Sequence, residues 1–405
     1  MDSAAADRQK RISISFLNWG HAIDHYVLLI FPTVVIGLEA IYGRPYSELI
    51  LLGTACFVAF GVFSLPAGWL ADRWSRRYMM AVFFIGCGVS MAGAAAAPDF
   101  FTLAAALFAL GMFAAIYHPV GLPMVIDVSN ARGRTLAFNG VCGNLGAALA
   151  AGVTAALASW LGWKAAFMVP AMACVLTGFV YLAVVPDDSH RTGKRQKVAD
   201  VSFAFRIAVI VLGLLVVTSL ASGLIFNTVS VALPKIVDER LGDGLTFNAV
   251  GWIATAVFMC GALAQIAMGR LVERFPPLFL FAGVVTLQLI GIVWSAYASG
   301  LALVAALSLT MATIYGQVTV SDVVIARYTA DAWRGRFYAV KYFLTFTTSA
   351  AAVAGIAVLH GRGGFDLVLL AVAACCMVLV TSVYAFVFLV SGVERQQSRS
   401  IQPAE

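Results

Sequence analysis

The chain has 405 residues, of which 61% are hydrophobic and 11% are charged, and its mean hydropathy is +0.92. This composition leaves too little polar surface to coat a soluble globule of this size, so it excludes a soluble protein. The formal net charge of +6 does not indicate a nucleic-acid partner, because the basic residues are spread over the connections between apolar stretches.

Apolar stretches close to the roughly 20 residues that cross a bilayer recur along the whole chain. Their length favours a helical bundle over a barrel, whose strands would be short and alternating. We therefore predict an all-α integral membrane protein with twelve transmembrane helices. The predicted spans are residues 12–38, 47–71, 78–97, 100–128, 135–160, 164–186, 206–235, 246–271, 277–298, 300–327, 336–360 and 365–390.

A long polar stretch follows the sixth predicted span and divides the chain into nearly equal halves. It predicts a cytoplasmic linker at 187–205 between two six-helix bundles, at 1–186 and 206–405, the second with a short cytoplasmic tail. The sequence NARGR before the fifth span is matched by AWRGR before the eleventh. This match indicates that the second half repeats the first.

Lys and Arg are distributed unevenly over the connections between the spans. If the amino terminus is cytoplasmic, the outside connections contain only Arg44, Lys164, Lys235, Arg240 and Arg362. Membrane proteins favour basic residues on the cytoplasmic side. We therefore expect a bacterial-type inner membrane protein with both termini in the cytoplasm. The apolar run after residue 11 has no small-residue cleavage site, so we expect no removed signal peptide.

The connection between the second and third spans carries a charged motif, G-x-x-x-D-R-x-x-R-R, formed by Gly68, Asp72, Arg73, Arg76 and Arg77. The motif strongly resembles the loop signature of the major facilitator superfamily of secondary transporters, which usually has Gly where this chain has Ser75. A shortened copy lies at the matching place of the second half, at Gly269, Glu273 and Arg274.

The resemblance implies two six-helix halves that rock around a site near the middle of the membrane. It also implies that the first, fourth, seventh and tenth spans line the cavity. The motif would then act as a conformational switch: in the outward-open state Asp72 caps the start of the eleventh helix while Arg73 pairs with Asp127 at the end of the fourth.

The first span contains Asn18, His21, Asp24 and His25, which fall within an arc of about 120° at 100° per residue. Polar groups in hydrocarbon are costly and normally face the bundle interior. A buried carboxylate beside imidazoles could take up and release a proton. A structural hydrogen-bond network and a metal site are the alternatives. We favour the proton, and we expect no metal and no cofactor.

The fourth span contains Tyr117, His118 and Pro119, and the proline should loosen the helix beside the histidine. Together with Gly20, His21 and Asp24, and with the Gly-Asn-x-Gly stretch around Asn144, this resembles the fosmidomycin-resistance group of facilitators. Val120 stands where that group has an acidic residue. The alternative is that His118 simply forms a hydrogen bond between helices.

In the second half, the candidate substrate-binding residues are Ser222 and Phe226 in the seventh span and Tyr315 and Gln317 in the tenth. Ordinary helix packing is the alternative for these side chains. Asp322 in the tenth span could pair with Lys341 in the eleventh as an inner gate, unless the lysine extends to the membrane surface.

These features predict a proton-coupled secondary transporter that exports a small amphipathic or drug-like compound by alternating access. The alternatives are a proton symporter that imports an organic acid or other small metabolite, and a non-transporting sensor or assembly factor on the same fold. An enzyme is not expected, because the chain has no phosphate loop, nucleophile elbow or soluble domain. The expected partners are a small-molecule substrate, protons and the lipid bilayer, and the chain is expected to act as a monomer.

Overall fold

The structure is a computed structural model that describes residues 3–128, 132–186, 205–241, 244–329 and 331–401. Within these ranges it is helical throughout except for short connections. The helices are α1 (Ser3–Tyr42), α2 (Tyr46–Ala71), α3 (Arg76–Ala96), α4 (Phe100–Ala114), α5 (Tyr117–Val128), α6 (Arg132–Leu161), α7 (Trp163–Val184), α8 (Phe205–Leu241), α9 (Phe247–Leu271), α10 (Pro277–Tyr297), α11 (Gly300–Tyr328) and α12 (Asp331–Ile401).

Eleven helical segments of the described chain are long and apolar enough to cross a membrane, with α4 and α5 forming one of them. The last segment, Phe343–Val393, has 51 residues, about twice the length that one crossing requires. Its backbone is not helical at Gly363 and Gly364, where φ is −160° and 58°. The all-α membrane fold is confirmed. The count of twelve crossings stays a prediction, and this break lies between the eleventh and twelfth predicted spans.

Successive helices that each cross a membrane must run in opposite directions, so the connections between the spans alternate between two ends of the bundle. The motif end carries residues 72–75 and 272–276, and the distal end carries residues 43–45 and 97–99. The predicted linker at 187–205 lies outside the described residues except for its last residue, and the division into two bundles around it stays a prediction.

The helices that precede and follow this linker meet mainly along α2 with α12 and α6 with α9. Small residues make the contact between α6 and α9. The Thr255 hydroxyl of α9 donates to the Ala148 carbonyl at 2.6 Å and accepts from the Gly152 N–H at 3.0 Å. A Cβ on Gly251 would lie 2.4 Å from the Cβ of Ala155. The backbones of α6 and α9 therefore approach each other closely, and this contact joins the two halves of the chain on this side.

Candidate functional site

A cavity of 1460 Å³ lies between the two halves of the chain. Its wall is formed by α1, α2, α5 and α6 from the first half and by α8, α9, α11 and α12 from the second. Most of the wall is apolar, as at Phe57, Phe60 and Phe226. The cavity reaches the motif end, where Arg270 and Glu273 line it.

His21, His25 and His118, which we call the histidine cluster, lie together on this wall. Their ring centroids are 5.0 Å apart for His21 and His25, 5.4 Å for His21 and His118, and 5.7 Å for His25 and His118. One nitrogen from each ring lies within 4.8 Å of the other two. The side chain of Asp24 is fully buried, and its Oδ2 lies 3.1 Å from Nε2 of His118. The structure therefore brings α5 to the polar face of α1, and the cluster could hold a proton or a metal ion.

Asn139 of α6 connects this face of α1 to α5, and the sequence pattern did not indicate it. Its backbone oxygen and its Oδ1 lie 2.8 and 2.9 Å from Nδ1 of His21. Its Nδ2 donates to the Tyr117 hydroxyl at 2.9 Å and to Oδ1 of Asn18 at 3.0 Å. The Tyr117 hydroxyl donates to the Leu17 carbonyl at 2.8 Å. A fully buried amide inside a membrane span is costly unless it has hydrogen-bond partners. The presence of an amide residue in this apolar span is therefore the sequence signal that could have identified Asn139.

The helix of the fourth predicted span is interrupted between α4 and α5, directly before Tyr117 and His118. α4 ends at Ala114 and α5 begins at Tyr117. Pro119 lies in the first turn of α5, where its missing N–H leaves no intrahelical hydrogen bond unmade. The interruption places His118 at the start of a new helix, beside α1.

Polar side chains from the second half face the histidine cluster across the cavity. Gln317 donates to the Ser222 hydroxyl at 3.0 Å, and the rings of Phe226 and Tyr315 are 5.6 Å apart. The structure places all four residues on the cavity wall.

Two further polar pairs line the cavity. Asn144 of α6 donates to Oε1 of Gln265 in α9 and so joins the two halves, although the sequence pattern did not indicate Gln265. Lys341 of α12 donates to Oδ1 of Asp322 at 2.5 Å. The charges of Lys341 and Asp322 therefore offset each other at the cavity wall.

In this conformer the motif arginine that pairs with Asp127 is not the one that the resemblance names for the outward-open state. Arg76, and not Arg73, pairs with Asp127, with Nη1 2.8 Å from Oδ2. Arg76 lies at the first residue of α3 and also reaches Asp72 at 3.4 Å. The Arg73 guanidinium instead lies 4.2 Å from the centre of the Trp69 ring. In this conformer the turn after α2 directs Arg73 back along α2, so Arg73 does not pair with Asp127. The resemblance implies that pair for the outward-open state, where it stays a prediction. The cap that Asp72 would form at the start of the eleventh predicted helix also stays a prediction.

The remaining motif residues lie at the same end of the bundle. A Cβ on Gly68 would lie 3.3 Å from the Cβ of Pro119, so Gly68 packs against α5. In the shortened copy, Gly269 and Glu273 line the cavity and Arg274 does not.

Arg77 caps the end of α7. Its Nε donates to the Val185 carbonyl at 2.5 Å, and its Nη2 donates to the Leu182 carbonyl. Carbonyl groups in the last turn of a helix have no partner within the helix. We expect Arg77→Ala to lower the free energy of unfolding by about 1–3 kcal/mol, because it leaves both carbonyls without this donor.

Thermal unfolding in detergent measures this effect, with Arg73→Ala as the control. Arg73 lies on the exposed face of Trp69, so its removal should change the melting temperature less. Equal melting temperatures for the two variants would contradict the capping role of Arg77.

Ion pairs join α1, α8 and α12 at the distal end. Lys235 of α8, whose side chain is 7% exposed, donates to Glu39 of α1 and lies 2.9 Å from Asp238 and 3.6 Å from Glu239. Oε1 of Glu239 also lies 2.8 Å from Nε2 of His360 in α12. The pair of Lys235 with Glu39 joins the first half of the chain to the second. The conformer is therefore closed at the distal end, and its cavity reaches the motif end.

A helical membrane bundle with a central cavity that is closed at one end is the architecture of an alternating-access transporter. Residues 14–245 match the model of the Major Facilitator Superfamily, and the chain belongs to this family. It is 22% identical over 280 residues to the uncharacterized MFS-type transporter YfnC of Bacillus subtilis. That alignment covers 65% of this chain and 66% of the relative, just under two thirds of its length.

Solved structures show the same fold at low sequence identity. One is a bacterial homologue of the human lysosomal transporter Spinster in an inward-facing and occupied conformation, with a TM-score of 0.75 and 13% identity, covering 93% of this chain and 96% of that chain. Another is a D-xylose–proton symporter, with a TM-score of 0.73 and 16% identity, covering 93% of this chain and 96% of that chain.

Proposed function

We propose that this protein is a proton-coupled secondary transporter that exports a small amphipathic compound by alternating access. The observation that carries the proposal is the cavity of 1460 Å³ between the halves. Pockets for drug-sized ligands measure about 300–1,000 Å³, so the cavity has room for such a solute together with water.

The wall of the cavity favours an amphipathic solute. Apolar and aromatic side chains supply most of its surface, and neutral groups such as Ser222, Gln317 and Asn144 supply hydrogen bonds. Among the described residues of the wall, the Lys and Arg side chains are Arg270, at the motif end, and Lys341, which is already paired with Asp322. A solute with several negative charges would therefore find little compensation here.

We further propose that the motif end faces the cytoplasm, because Arg73, Arg76, Arg77, Arg270 and Arg274 lie there and basic residues favour that side. Both termini would then be cytoplasmic, and the cavity would receive its solute from the cell interior, as export requires. One protein of the same fold is a D-xylose–proton symporter, which supports the proton as the driving ion. Import of an organic acid together with a proton is the alternative.

Proton flux in proteoliposomes tests this proposal. The purified protein is reconstituted with a trapped pH-sensitive dye, and amphipathic amines, lactones and organic acids are added one at a time. We expect at least one solute to drive protons in the direction opposite to its own. Protons moving with the solute would instead establish import by symport, and no flux with any solute would favour the sensor alternative.

Filling the cavity should block this flux. Ser222→Trp places an indole beside Gln317 on the cavity wall, and we expect solute-evoked flux to fall more than about tenfold, since 1.4 kcal/mol of lost binding is tenfold in affinity. Val217→Trp is the matched control, because Val217 lies on the same helix, is 39% exposed and is not on the cavity wall. Equal flux in the two variants would contradict a solute site at Ser222.

A further inference from the structure

We propose that His21, His25 and His118 form a binding site for a divalent transition-metal ion of the zinc type, with an open coordination position towards the cavity. This site goes beyond the proposed export of an amphipathic solute and does not depend on its direction or identity. The sequence analysis favoured a proton and no metal, because no Cys or Glu supplements the polar face of α1 and only His118 offers another imidazole near the middle of the membrane.

The spacing of the three imidazoles suits one small ion. Around tetrahedral Zn²⁺ the ligand nitrogens are about 3.4 Å apart, because each Zn–N bond is about 2.0–2.1 Å long. In the structure, one nitrogen from each ring lies within 4.8 Å of the others. Rotations that move each nitrogen by about 1 Å therefore complete a three-imidazole site.

The surrounding groups orient two of the rings as in known metal sites. A histidine that binds a metal usually donates its other ring N–H to a carbonyl or a carboxylate. Nδ1 of His21 lies 2.8 Å from the Asn139 carbonyl oxygen, and donation there places the lone pair of His21 on Nε2. Nε2 of His118 lies 3.1 Å from Oδ2 of Asp24, and donation there places the lone pair of His118 on Nδ1.

Asp24 also supplies the charge that such an ion requires. Its carboxylate is fully buried, and its partner in the structure is His118. A buried carboxylate is costly unless positive charge lies near it. An ion bound by the histidine cluster would lie close to this carboxylate and offset its charge.

The cavity provides both an entry path and the open position. All three histidines and Asp24 line it, so an ion can enter from the motif end. Imidazole nitrogen suits Zn²⁺, Co²⁺, Ni²⁺ and Cu²⁺, whereas Mg²⁺ and Ca²⁺ prefer oxygen ligands. We therefore assign the site to the first group of ions.

Equilibrium binding of Zn²⁺ to the full-length protein tests the site. The protein is purified in detergent without a polyhistidine tag, stripped with a chelator and titrated with Zn²⁺, and Co²⁺ is added separately to record its visible absorption bands. We expect one ion per chain in the wild type. His25→Gln should lose this binding, and Asp24→Asn should weaken it about 10–100-fold. His360→Gln is the control, because His360 pairs with Glu239 at the distal end.

A pair of glycine variants tests the site with every histidine kept. A Cβ on Gly143 would lie 2.7 Å from Nε2 of His21, whereas a Cβ on Gly140 would meet nothing within 4 Å. Gly143→Ala should therefore displace the ring and weaken Zn²⁺ binding at least about tenfold, as ligand misplacement does, and Gly140→Ala should bind as the wild type does. Size-exclusion profiles establish that each variant is folded.

Wild-type protein that retains no Zn²⁺ would overturn the proposal. The same holds if His25→Gln and Gly143→Ala both bind as tightly as His360→Gln. Neither result bears on solute flux, which is measured separately in proteoliposomes.

Discussion

Gly146→Ala should destabilise the protein more than the same change at the other glycines of α6 whose surroundings the structure describes. The Cβ would lie 2.0 Å from the Ala22 carbonyl oxygen and 2.6 Å from its carbon. Because these are backbone atoms, no rotation of a side chain relieves the contact, and α1 must move away from α6. Overpacking of a core typically costs about 1–3 kcal/mol. We expect the free energy of unfolding to fall by about 3 kcal/mol here. We also expect the α1 residues that face the cavity to become disordered.

Gly140→Ala is the control for this prediction. A methyl group there meets nothing within 4 Å, and replacing a helical Gly by Ala favours the helix by about 1 kcal/mol. The two substitutions should therefore change the melting temperature in opposite directions, as measured by fluorescence-detected size exclusion after heating. A Gly146→Ala protein as stable as the wild type would show that α1 and α6 do not approach each other as closely as the structure places them.

Glu39→Gln should open the distal end. Glu39 is the partner of Lys235 that belongs to the first half of the chain, and Lys235 keeps Asp238 and Glu239 within its own helix. Removing one partner of a buried pair costs about 3–5 kcal/mol when the other charge is left alone. Lys235 keeps two acidic neighbours, so we expect the free energy that favours the closed distal end to fall by only about 1.4 kcal/mol. This change raises the population open at the distal end about tenfold.

Spin labels at Ile41 and Leu245 measure this population by pulsed dipolar spectroscopy in a cysteine-free background. Both side chains are exposed, one on each half. Glu48→Gln is the control, because Glu48 pairs with Arg44 on the surface at 3.2 Å, and such pairs contribute about 0–1 kcal/mol. If Glu39→Gln and Glu48→Gln give the same distance distribution, the pair with Lys235 does not hold the distal end closed.

The class of the protein followed from the sequence because the length and polarity of a span are local properties. The polar face of α1 was also visible, since helical periodicity alone places His21, Asp24 and His25 on one side. The hydrogen-bond network around the site was not predicted from the sequence, because it depends on which helices pack against each other. Asn139 and Gln265 are amides in largely apolar spans, and their roles come from partners in other helices.

The motif arginines show the same limit over a shorter distance. Their positions in sequence are close, and the resemblance named Arg73 as the partner of Asp127 in the outward-open state. The direction of each side chain depends on the turn between α2 and α3, which sends Arg73 to Trp69 and Arg76 to Asp127. A pattern of residue types does not contain that turn geometry.

The contact of Lys235 with Glu39 should make two steps of the proposed transport cycle differ in rate, namely capture of the solute at the motif end and its release at the distal end. A solute that arrives at the motif end enters a cavity that is already formed, so its capture requires no rearrangement and is set by diffusion and desolvation. Release at the distal end requires Lys235 and Glu39 to part and regain water, which adds to the activation barrier. Turnover should therefore be limited by opening at the distal end rather than by loading, and single-turnover capture should be faster than steady-state transport.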